Sequence, residues 1–144
     1  MKVRDIMTTE LVTLNVDEEL SLASDIMNLA RIRHLPVLDG EDLVGIISQR
    51  DLYKASLASV MGYDYAETRD HLKTVTIREA MIKEVITVGP DAEVKEAGLI
   101  MLERKIGCLP VVQENRLVGM VTETDILGYF LLRYDYCVVG DRES

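Results

Sequence analysis

The chain has 144 residues, of which 48% are apolar and 28% are charged, a composition typical of an ordinary folded domain. It excludes a disordered chain, and no apolar run approaches the roughly 20 residues that a membrane-spanning helix needs. The net charge of −9 argues against nucleic acid or an anionic membrane as a partner, because binding to either requires a basic face. The charged N-terminal residues lack the apolar stretch of a secretion signal, so we expect a cytoplasmic location.

The sequence repeats itself after 74 positions. Aligned without a gap, residues 3–52 and 77–126 are identical at 17 of 50 positions, and Asp51 and Asp125 are one of the identical pairs. Agreement over this length identifies a tandem duplication. We therefore divide the chain into a first repeat (1–58), a connector (59–76), a second repeat (77–134) and a tail (135–144).

The first half of each repeat reads as a strand followed by a helix. Short β-branched runs at residues 11–14 and 85–88 predict strands, and the apolar spacing after them predicts an amphipathic helix. Asp17 and Asp91 are the N-caps that we expect for these two helices.

A β-hairpin and a second helix complete each repeat. In the first hairpin Asp39-Gly40 is the predicted turn, and Pro36 is expected on an edge strand or at the start of a strand. Ser48 and Thr122 then end the hairpins and begin the second helices. The order is β-α-β-β-α in both repeats, so the predicted fold class is α+β.

The duplication also predicts how the chain assembles. A unit of about 50 residues buries little surface alone, so we expect the repeats to pack sheet to sheet with pseudo-twofold symmetry and two equivalent clefts at their junction. The connector is predicted to hold a helix that ends near Gly62 and a short helix over residues 65–72. Residues 126–134 form an apolar helix that one small domain cannot cover, which predicts a homodimer.

Cysteines and histidines are too scattered for a metal site or a catalytic cluster. Cys108 and Cys137 form no C-x-x-C pair, and His34 and His71 lie far apart in sequence. The chain also contains no P-loop and no G-x-S-x-G motif. We predict no metal, no cofactor and no enzymatic activity, and an enzyme with an unrecognised site is the weakest interpretation.

The junctions between hairpin and second helix, residues 45–51 and 119–125, have two interpretations. Each places an aspartate three positions after a hydroxyl residue, a spacing typical of a capping box, in which Asp51 and Asp125 only stabilise the helix starts. Alternatively, the free helix amides bind an anion and the aspartate accepts from both hydroxyls of a ribose. The duplication, together with the hairpin glycine, favours a site for a nucleoside phosphate.

The whole pattern resembles a tandem pair of cystathionine β-synthase (CBS) domains, also called a Bateman module, and the resemblance covers most of the chain. In the first repeat it rests on Asp5-Ile6-Met7, Val12-Thr13, His34-Leu35-Pro36-Val37 and Gly45-Ile46-Ile47-Ser48 with Asp51. In the second it rests on Glu79-Ala80-Met81, Ile86-Thr87, Cys108-Leu109-Pro110-Val111 and Gly119-Met120-Val121-Thr122 with Asp125.

The resemblance implies binding of AMP, ADP or ATP by residues of both repeats. Ribose and phosphate would be bound by Ser48, Arg50, Asp51, Thr122, Thr124 and Asp125. The adenine pocket would be formed by Thr9, Leu11, His34, Leu35, Pro36, Lys83, Val85, Cys108, Leu109 and Pro110. Further phosphate cations would be Arg31, Arg33, Arg104 and Lys105, for at least half of which a solvated helix end is the alternative.

The two sites differ chemically. Ser48 replaces the commoner threonine of the family, and Val16 stands where proline is frequent. Arg50 aligns with Thr124, and His34 aligns with Cys108. We therefore expect the site with Arg50 to carry more of the phosphate charge.

The resulting prediction is a non-catalytic sensor whose nucleotide shifts the arrangement of the repeats. No effector domain is recognised in this sequence, so the signal would pass to a separate effector protein. The alternative is a structural homodimerisation module that binds no nucleotide.

Overall fold

A computed structural model describes residues 1–59 and 65–132 of the chain. After a 3-10 turn at Val3–Asp5, the first repeat follows the predicted β-α-β-β-α order, and the second follows it with its first strand reduced to a bridge at Val88, which confirms the α+β fold class. The strands are β1 (Leu14–Asn15), β2 (His34–Asp39), β3 (Asp42–Ser48), β4 (Cys108–Gln113) and β5 (Arg116–Thr122). The helices are α1 (Leu20–Ala30), α2 (Gln49–Ser59), α3 (Tyr65–Leu72), α4 (Ile77–Ala80), α5 (Val94–Arg104) and α6 (123–132).

The first strand of each repeat is shorter than predicted. Of residues 11–14 only Leu14 is in a strand, where it pairs in parallel with Val37. Of residues 85–88 only Val88 pairs, through an isolated parallel bridge to Val111. Within each run the chain passes from one compact unit to the other, between residues 11 and 12 and again between residues 85 and 86.

The prediction of Asp17 and Asp91 as helix N-caps is wrong. Helix α1 begins at Leu20 and α5 at Val94, and the residues that precede them, both glutamates, make no side-chain cap. The first amide of each helix instead donates to a carbonyl from a distant segment. The Leu20 amide donates to the Val75 carbonyl at 2.8 Å, and the Val94 amide donates to the Met1 carbonyl at 3.1 Å.

Asp17 and Asp91 form ion pairs instead of caps. Asp17 pairs with the guanidinium of Arg78 at 3.3 Å, and Asp91 pairs with Arg4. In both cases the arginine belongs to the other sequence repeat, so each aspartate contacts that repeat's N-terminal segment near the start of the helix.

Each repeat forms its predicted hairpin, with a bulge at the same place. Strands β2 and β3 are antiparallel, and their register shifts between Val37 and Leu38. Strands β4 and β5 shift between Val111 and Val112. The turn predicted at Asp39-Gly40 is confirmed, since β2 ends at Asp39 and Gly40 has a φ of +64°.

Pro36 does not lie on an edge strand, contrary to the prediction. Strand β2 is the central strand of the order β1-β2-β3, and Pro36 is its third residue. The ladder tolerates a proline there because the parallel pairing begins only after its nitrogen. In the second repeat the carbonyl of Pro110 accepts the first bond of this pairing, from the Val88 amide at 3.1 Å, and no proline N–H is needed.

The chain forms two compact units that exchange their N-terminal segments. One unit is Val12–Val85, and the other combines Met1–Leu11 with the chain from Ile86 onward. Each has its own buried apolar core. The first core includes Leu14, Val16, Leu20, Leu35, Ile47 and Ile77, and the second includes Val3, Ala97, Met101, Leu109, Val111 and Val121.

Helix α6 carries the predicted apolar surface. Leu127, Phe130, Leu131 and Leu132 are exposed, with Leu132 73% accessible. Residues 133 and 134 of the predicted apolar helix, Cys137 and the tail 135–144 lie outside the described residues, as does the predicted helix end near Gly62. The short helix predicted over residues 65–72 is confirmed as α3. No helix in the described part of the chain is long and apolar enough to cross a membrane.

Candidate functional site

The junction between β3 and α2, which we call the first corner (residues 45–51), forms a closed set of hydrogen bonds. Ser48 donates from its amide and its hydroxyl to Oδ2 of Asp51, at 2.7 and 2.8 Å. The Asp51 amide donates back to the Ser48 hydroxyl at 3.2 Å. The capping-box interpretation is therefore confirmed here, because both side chains satisfy amides at the helix start.

The second corner (residues 119–125), between β5 and α6, repeats this arrangement. Thr122 donates from its amide and hydroxyl to Oδ2 of Asp125, at 2.9 and 3.1 Å, and the Asp125 amide donates to the threonine hydroxyl at 3.3 Å. Serine in place of threonine thus leaves the hydrogen-bond pattern of the corner unchanged.

The caps leave polar groups available at both corners. Each cap uses only Oδ2 of its aspartate, and Oδ1 of Asp51 and of Asp125 has no hydrogen-bond partner among the described residues. The amides of Arg50 and Thr124 likewise have none within that part of the chain. An acceptor oxygen and an amide donor at the start of a helix can serve a ligand that carries both hydroxyls and an anionic group.

Strands β2 and β4 place their first residues beside the corners. His34 is the register partner of Ser48, and Cys108 is the register partner of Thr122. The leucine and proline that follow each of them are buried. The predicted adenine segments 34–36 and 108–110 therefore begin directly opposite the hydroxyl residues of the corners.

Cys108 is a packed thiol at the second corner. Burial, assisted by the negative charge of Asp125, raises its pKa from 9.0 to about 12. The thiol is therefore neutral at physiological pH and is a poor nucleophile. Among residues 1–59 and 65–132, no group of three His, Cys, Asp or Glu side chains could hold a metal ion.

The other predicted adenine residues lie near the corners because the two units exchange their N-terminal segments. Ile82 pairs with Ile46, with hydrogen bonds of 2.9 and 3.1 Å in the two directions, so Lys83 and Val85 belong to the unit of the first corner. Thr8 pairs with Met120 in the same way, at 2.8 and 3.0 Å.

Because of this exchange, Thr9 and Leu11 belong to the unit of the second corner. Repeat alignment alone assigns Lys83 to the site of the second repeat. That assignment is wrong, because Lys83 lies in the unit of the first corner. The exchange leaves no local signature in the sequence, because each segment pairs with a strand more than 30 positions away.

The hairpin glycines make this exchange sterically possible. A Cβ on Gly45 would lie 2.9 Å from Cγ of Met81 and 3.0 Å from the carbonyl oxygen of Ile82. A Cβ on Gly119 would lie 3.0 Å from Cγ of Met7. The sequence contains the signal for these contacts, since both the methionines and the glycines recur at the 74-residue spacing, but sequence reasoning did not connect them.

The four additional cations predicted for phosphate lie in two kinds of place. Arg31 and Lys105 are the C-caps of α1 and α5, both with a φ of +55°, and Arg104 is the last residue of α5. These three are at helix ends, as the alternative interpretation predicts. Arg33 lies beside the first corner, because its carbonyl accepts the Gln49 amide at 2.8 Å.

A model of the CBS domain family matches residues 3–58 and 77–132. The chain belongs to the CBS domain family. A CBS domain-containing protein of Dictyostelium discoideum is 32% identical over 131 residues, which are 90% of each chain.

Solved CBS structures share the fold over nearly the whole chain. A crystal structure of a candidate acetoin utilisation protein (AcuB) of Vibrio cholerae is 34% identical, with a TM-score of 0.77, and the match covers 100% of this chain and 97% of that one. The CBS domain pair of protein MJ0100, in complex with 5′-methylthioadenosine and S-adenosyl-L-methionine, is 31% identical, with a TM-score of 0.77 and coverage of 92% and 98%.

Other relatives contain this CBS pair within longer chains. The chain spans 46% of an uncharacterised protein of Methanocaldococcus jannaschii and 22% of the inosine-5′-monophosphate dehydrogenase of Korarchaeum cryptofilum, each 34% identical to it. In such proteins the CBS pair is one part of a larger molecule.

Proposed function

We propose that this CBS pair is a non-catalytic regulatory module that binds adenine nucleotides (AMP, ADP or ATP) at its corners and signals to an effector protein. The observation that carries the proposal is the duplicated corner, where an Oδ1 and an amide at each helix start have no hydrogen-bond partner among the described residues. Oδ1 of Asp51 or Asp125 can accept from a ribose hydroxyl while Oδ2 keeps the cap intact, so binding does not require the helix start to unfold.

An aliphatic environment for adenine supports the proposal. The buried leucine and proline of segments 34–36 and 108–110 follow the register partners of Ser48 and Thr122, so the interior beside each corner is apolar and contains no aromatic ring from these segments. The solved relative MJ0100 has two adenosine compounds in its CBS pair, which supports an adenosine group as the common element of the ligand.

The regulatory mechanism is differential binding. A nucleotide that binds one arrangement of the module more tightly increases the population of that arrangement, by no more than the ratio of its two affinities. The effector protein then distinguishes the arrangements. A cytoplasmic location is part of the proposal.

Calorimetry and thermal unfolding with AMP, ADP and ATP test the proposal. A ligand that binds only the folded chain stabilises it by about 2.7 kcal/mol at 100 times its Kd, so the Tm rises with concentration. Guanosine and uridine monophosphates are the ligand controls. We expect Asp51→Ala together with Asp125→Ala to abolish binding, whereas Asp42→Asn, at the opposite end of β3 from Ser48, leaves it unchanged. A Tm that none of AMP, ADP and ATP changes would contradict the proposal.

A second candidate function, structural homodimerisation without nucleotide, rests on helix α6. Its exposed leucines and Phe130 form an apolar surface that a second copy of the chain would cover. We expect a dimeric mass by light scattering and a monomeric mass for Leu131→Glu. A dimer that binds no adenosine compound would favour this second function over the regulatory one.

A further inference from the structure

We propose that the two corners take ligands of different charge: the first a phosphorylated adenosine compound, the second a cationic one such as S-adenosylmethionine. This inference rests on the proposed function and specifies the ligand class of each corner. It depends on four aligned positions around the corners, each of which makes the first corner one unit more positive than the second.

Two of these positions are held at the corners by equivalent hydrogen bonds. The Gln49 amide donates to the Arg33 carbonyl at 2.8 Å, and the Glu123 amide donates to the Gly107 carbonyl at 3.0 Å. The first corner therefore has an arginine beside a neutral glutamine, where the second has a glycine beside a glutamate. All three polar side chains are exposed and adjoin the start of the helix.

The third position lies within the helix start itself. Arg50 immediately precedes Asp51 in α2, and Thr124 immediately precedes Asp125 in α6. Arg50 adds a positive charge beside the amide that is left without a partner, and Thr124 adds none.

The fourth position comes from the exchanged segments. Lys83 follows the Ile82–Ile46 pair and adds its charge to the first corner, whereas Thr9 follows the Thr8–Met120 pair at the second. If each segment packed on its own repeat, Lys83 would offset Glu123 and the difference between the corners would be smaller. The next residues, Glu84 and Glu10, are identical in the two copies and cancel.

The resulting charges have opposite sign. The first corner has a net charge of +1 and the second a net charge of −3. The first set is Arg33, Arg50, Lys83, Asp51 and Glu84, and the second set is Glu10, Glu123 and Asp125. Arg104, which aligns with Ala30, has the opposite sense, and it lies at the C-terminal end of α5, where the helix dipole accounts for it.

The charge difference is large enough to select ligands. Four unit charges acting on a phosphate dianion over roughly 10 Å, with partial screening by salt, correspond to about a tenfold difference in affinity. The second corner repels a phosphate and attracts a cationic sulfonium group. The neutral thiol of Cys108, where the first corner has His34, adds no charge to this balance.

Single-corner variants test the inference by calorimetry with AMP, 5′-methylthioadenosine and S-adenosylmethionine. Asp51→Ala leaves only the second corner, and we expect its AMP affinity to fall about tenfold while S-adenosylmethionine still binds. Asp125→Ala is expected to weaken S-adenosylmethionine binding and to keep AMP binding, and uncharged 5′-methylthioadenosine is expected to bind both variants alike. Far-ultraviolet circular dichroism checks that both variants are folded.

A charge variant keeps both caps intact. Glu123→Gln is expected to raise AMP affinity at the second corner about twofold, the effect of one charge out of the four. Glu114→Gln makes the same charge change at the opposite end of β5, and we expect it to leave AMP affinity unchanged. Raising sodium chloride from 50 to 500 mM is expected to weaken AMP binding and not the binding of 5′-methylthioadenosine.

The unmodified protein provides an independent readout. Met81 contacts the first corner at Gly45 and Met7 contacts the second at Gly119, so methionine methyl NMR reports which corner a ligand occupies. AMP is expected to shift the Met81 signal first, and S-adenosylmethionine is expected to shift the Met7 signal first. If both compounds rank the corners in the same order, the inference is overturned and the proposed function stands. If no adenosine compound binds either corner, both are overturned.

Discussion

Replacement of Gly45 by alanine is expected to destabilise the chain, because an exchanged segment occupies the space that the new methyl group needs. The added Cβ would contact Sδ of Met81 and would lie 2.9 Å from its Cγ and 3.0 Å from the carbonyl oxygen of Ile82. The methionine side chain can rotate away. The carbonyl cannot, since the amide and carbonyl of Ile82 both bond to Ile46.

The magnitude follows from these two obstacles. Overpacking by one methyl group costs about 1–3 kcal/mol, and the immobile carbonyl places Gly45→Ala near the middle of that range, at about 2 kcal/mol. For a chain of this length the loss corresponds to a fall in Tm of about 4–8 °C. Gly128→Ala is the matched control. A Cβ there meets nothing within 4 Å in α6, so the substitution is expected to stabilise by about 0.5–1 kcal/mol.

Urea unfolding of the two glycine variants, of Met81→Ala and of Gly45→Ala/Met81→Ala provides the assay. The substitution Met81→Ala removes the side-chain part of the clash and leaves the part with the Ile82 carbonyl. We therefore expect a coupling energy of about 0.5–2 kcal/mol between Gly45 and Met81. If Gly45→Ala is as stable as Gly128→Ala, or if the coupling is zero, residues 81–85 do not pack at the first corner. The assignment of Lys83 to that corner would then be refuted as well.

Three further changes have expected outcomes of known sign. Glu114 has a φ of +51° in the turn between β4 and β5, and the aligned residue of the first hairpin is Gly40. We therefore expect Glu114→Gly to raise the free energy of unfolding, measured by urea denaturation, by about 0.5 kcal/mol. The folded Cys108 thiol binds its proton more tightly than the unfolded thiol, because its pKa is about 12 and not 9.0. Stability is therefore unaffected by this thiol below pH 9 and falls between pH 9 and 12, by up to about 1.4 kcal/mol per pH unit relative to Cys108→Ala. The ion pair of Arg78 with Asp17 is exposed, with side chains 53% and 78% accessible, so Arg78→Ala is expected to cost about 0.5 kcal/mol or less in thermal unfolding.

Each of these expectations has a result that would contradict it. A loss of stability in Glu114→Gly would mean that the side chain stabilises the turn, and Gly40→Glu, the reverse change, should then not destabilise its own hairpin. Parallel pH profiles of the parent chain and Cys108→Ala above pH 9 would show that the thiol is not desolvated. A cost above 1.5 kcal/mol for Arg78→Ala would mean that this pair contributes much more than an exposed salt bridge.

The repeated elements could be predicted from sequence because their signals are local. Alternation, the Asp39-Gly40 turn and the spacing of Ser48 and Asp51 act over a few residues, and the structure contains the hairpin, the turn and the capping box that they predict. The resemblance to CBS domains likewise required only the order of short motifs.

The helix starts and the composition of each corner could not be predicted in this way. Asp17 is a good N-cap by residue type, but an amide donating to the distant Val75 carbonyl fixes the start of α1 at Leu20. Lys83 likewise lies at the first corner because its neighbour Ile82 bonds to the distant Ile46. Both depend on which unit receives which segment, and local sequence patterns contain no signal that decides this.

The exchanged segments have a consequence for the origin of the module. A chain limited to residues 1–58 would lack residues 75–85, which supply the Val75 carbonyl for Leu20 and the Ile82 pair for Ile46. Its own N-terminal segment, residues 1–11, would have no second repeat to pack against. Two copies of an ancestral single-repeat polypeptide could satisfy each other by trading these segments. Gene fusion would then have made an intermolecular swap intramolecular, and from that moment the halves were free to diverge in charge.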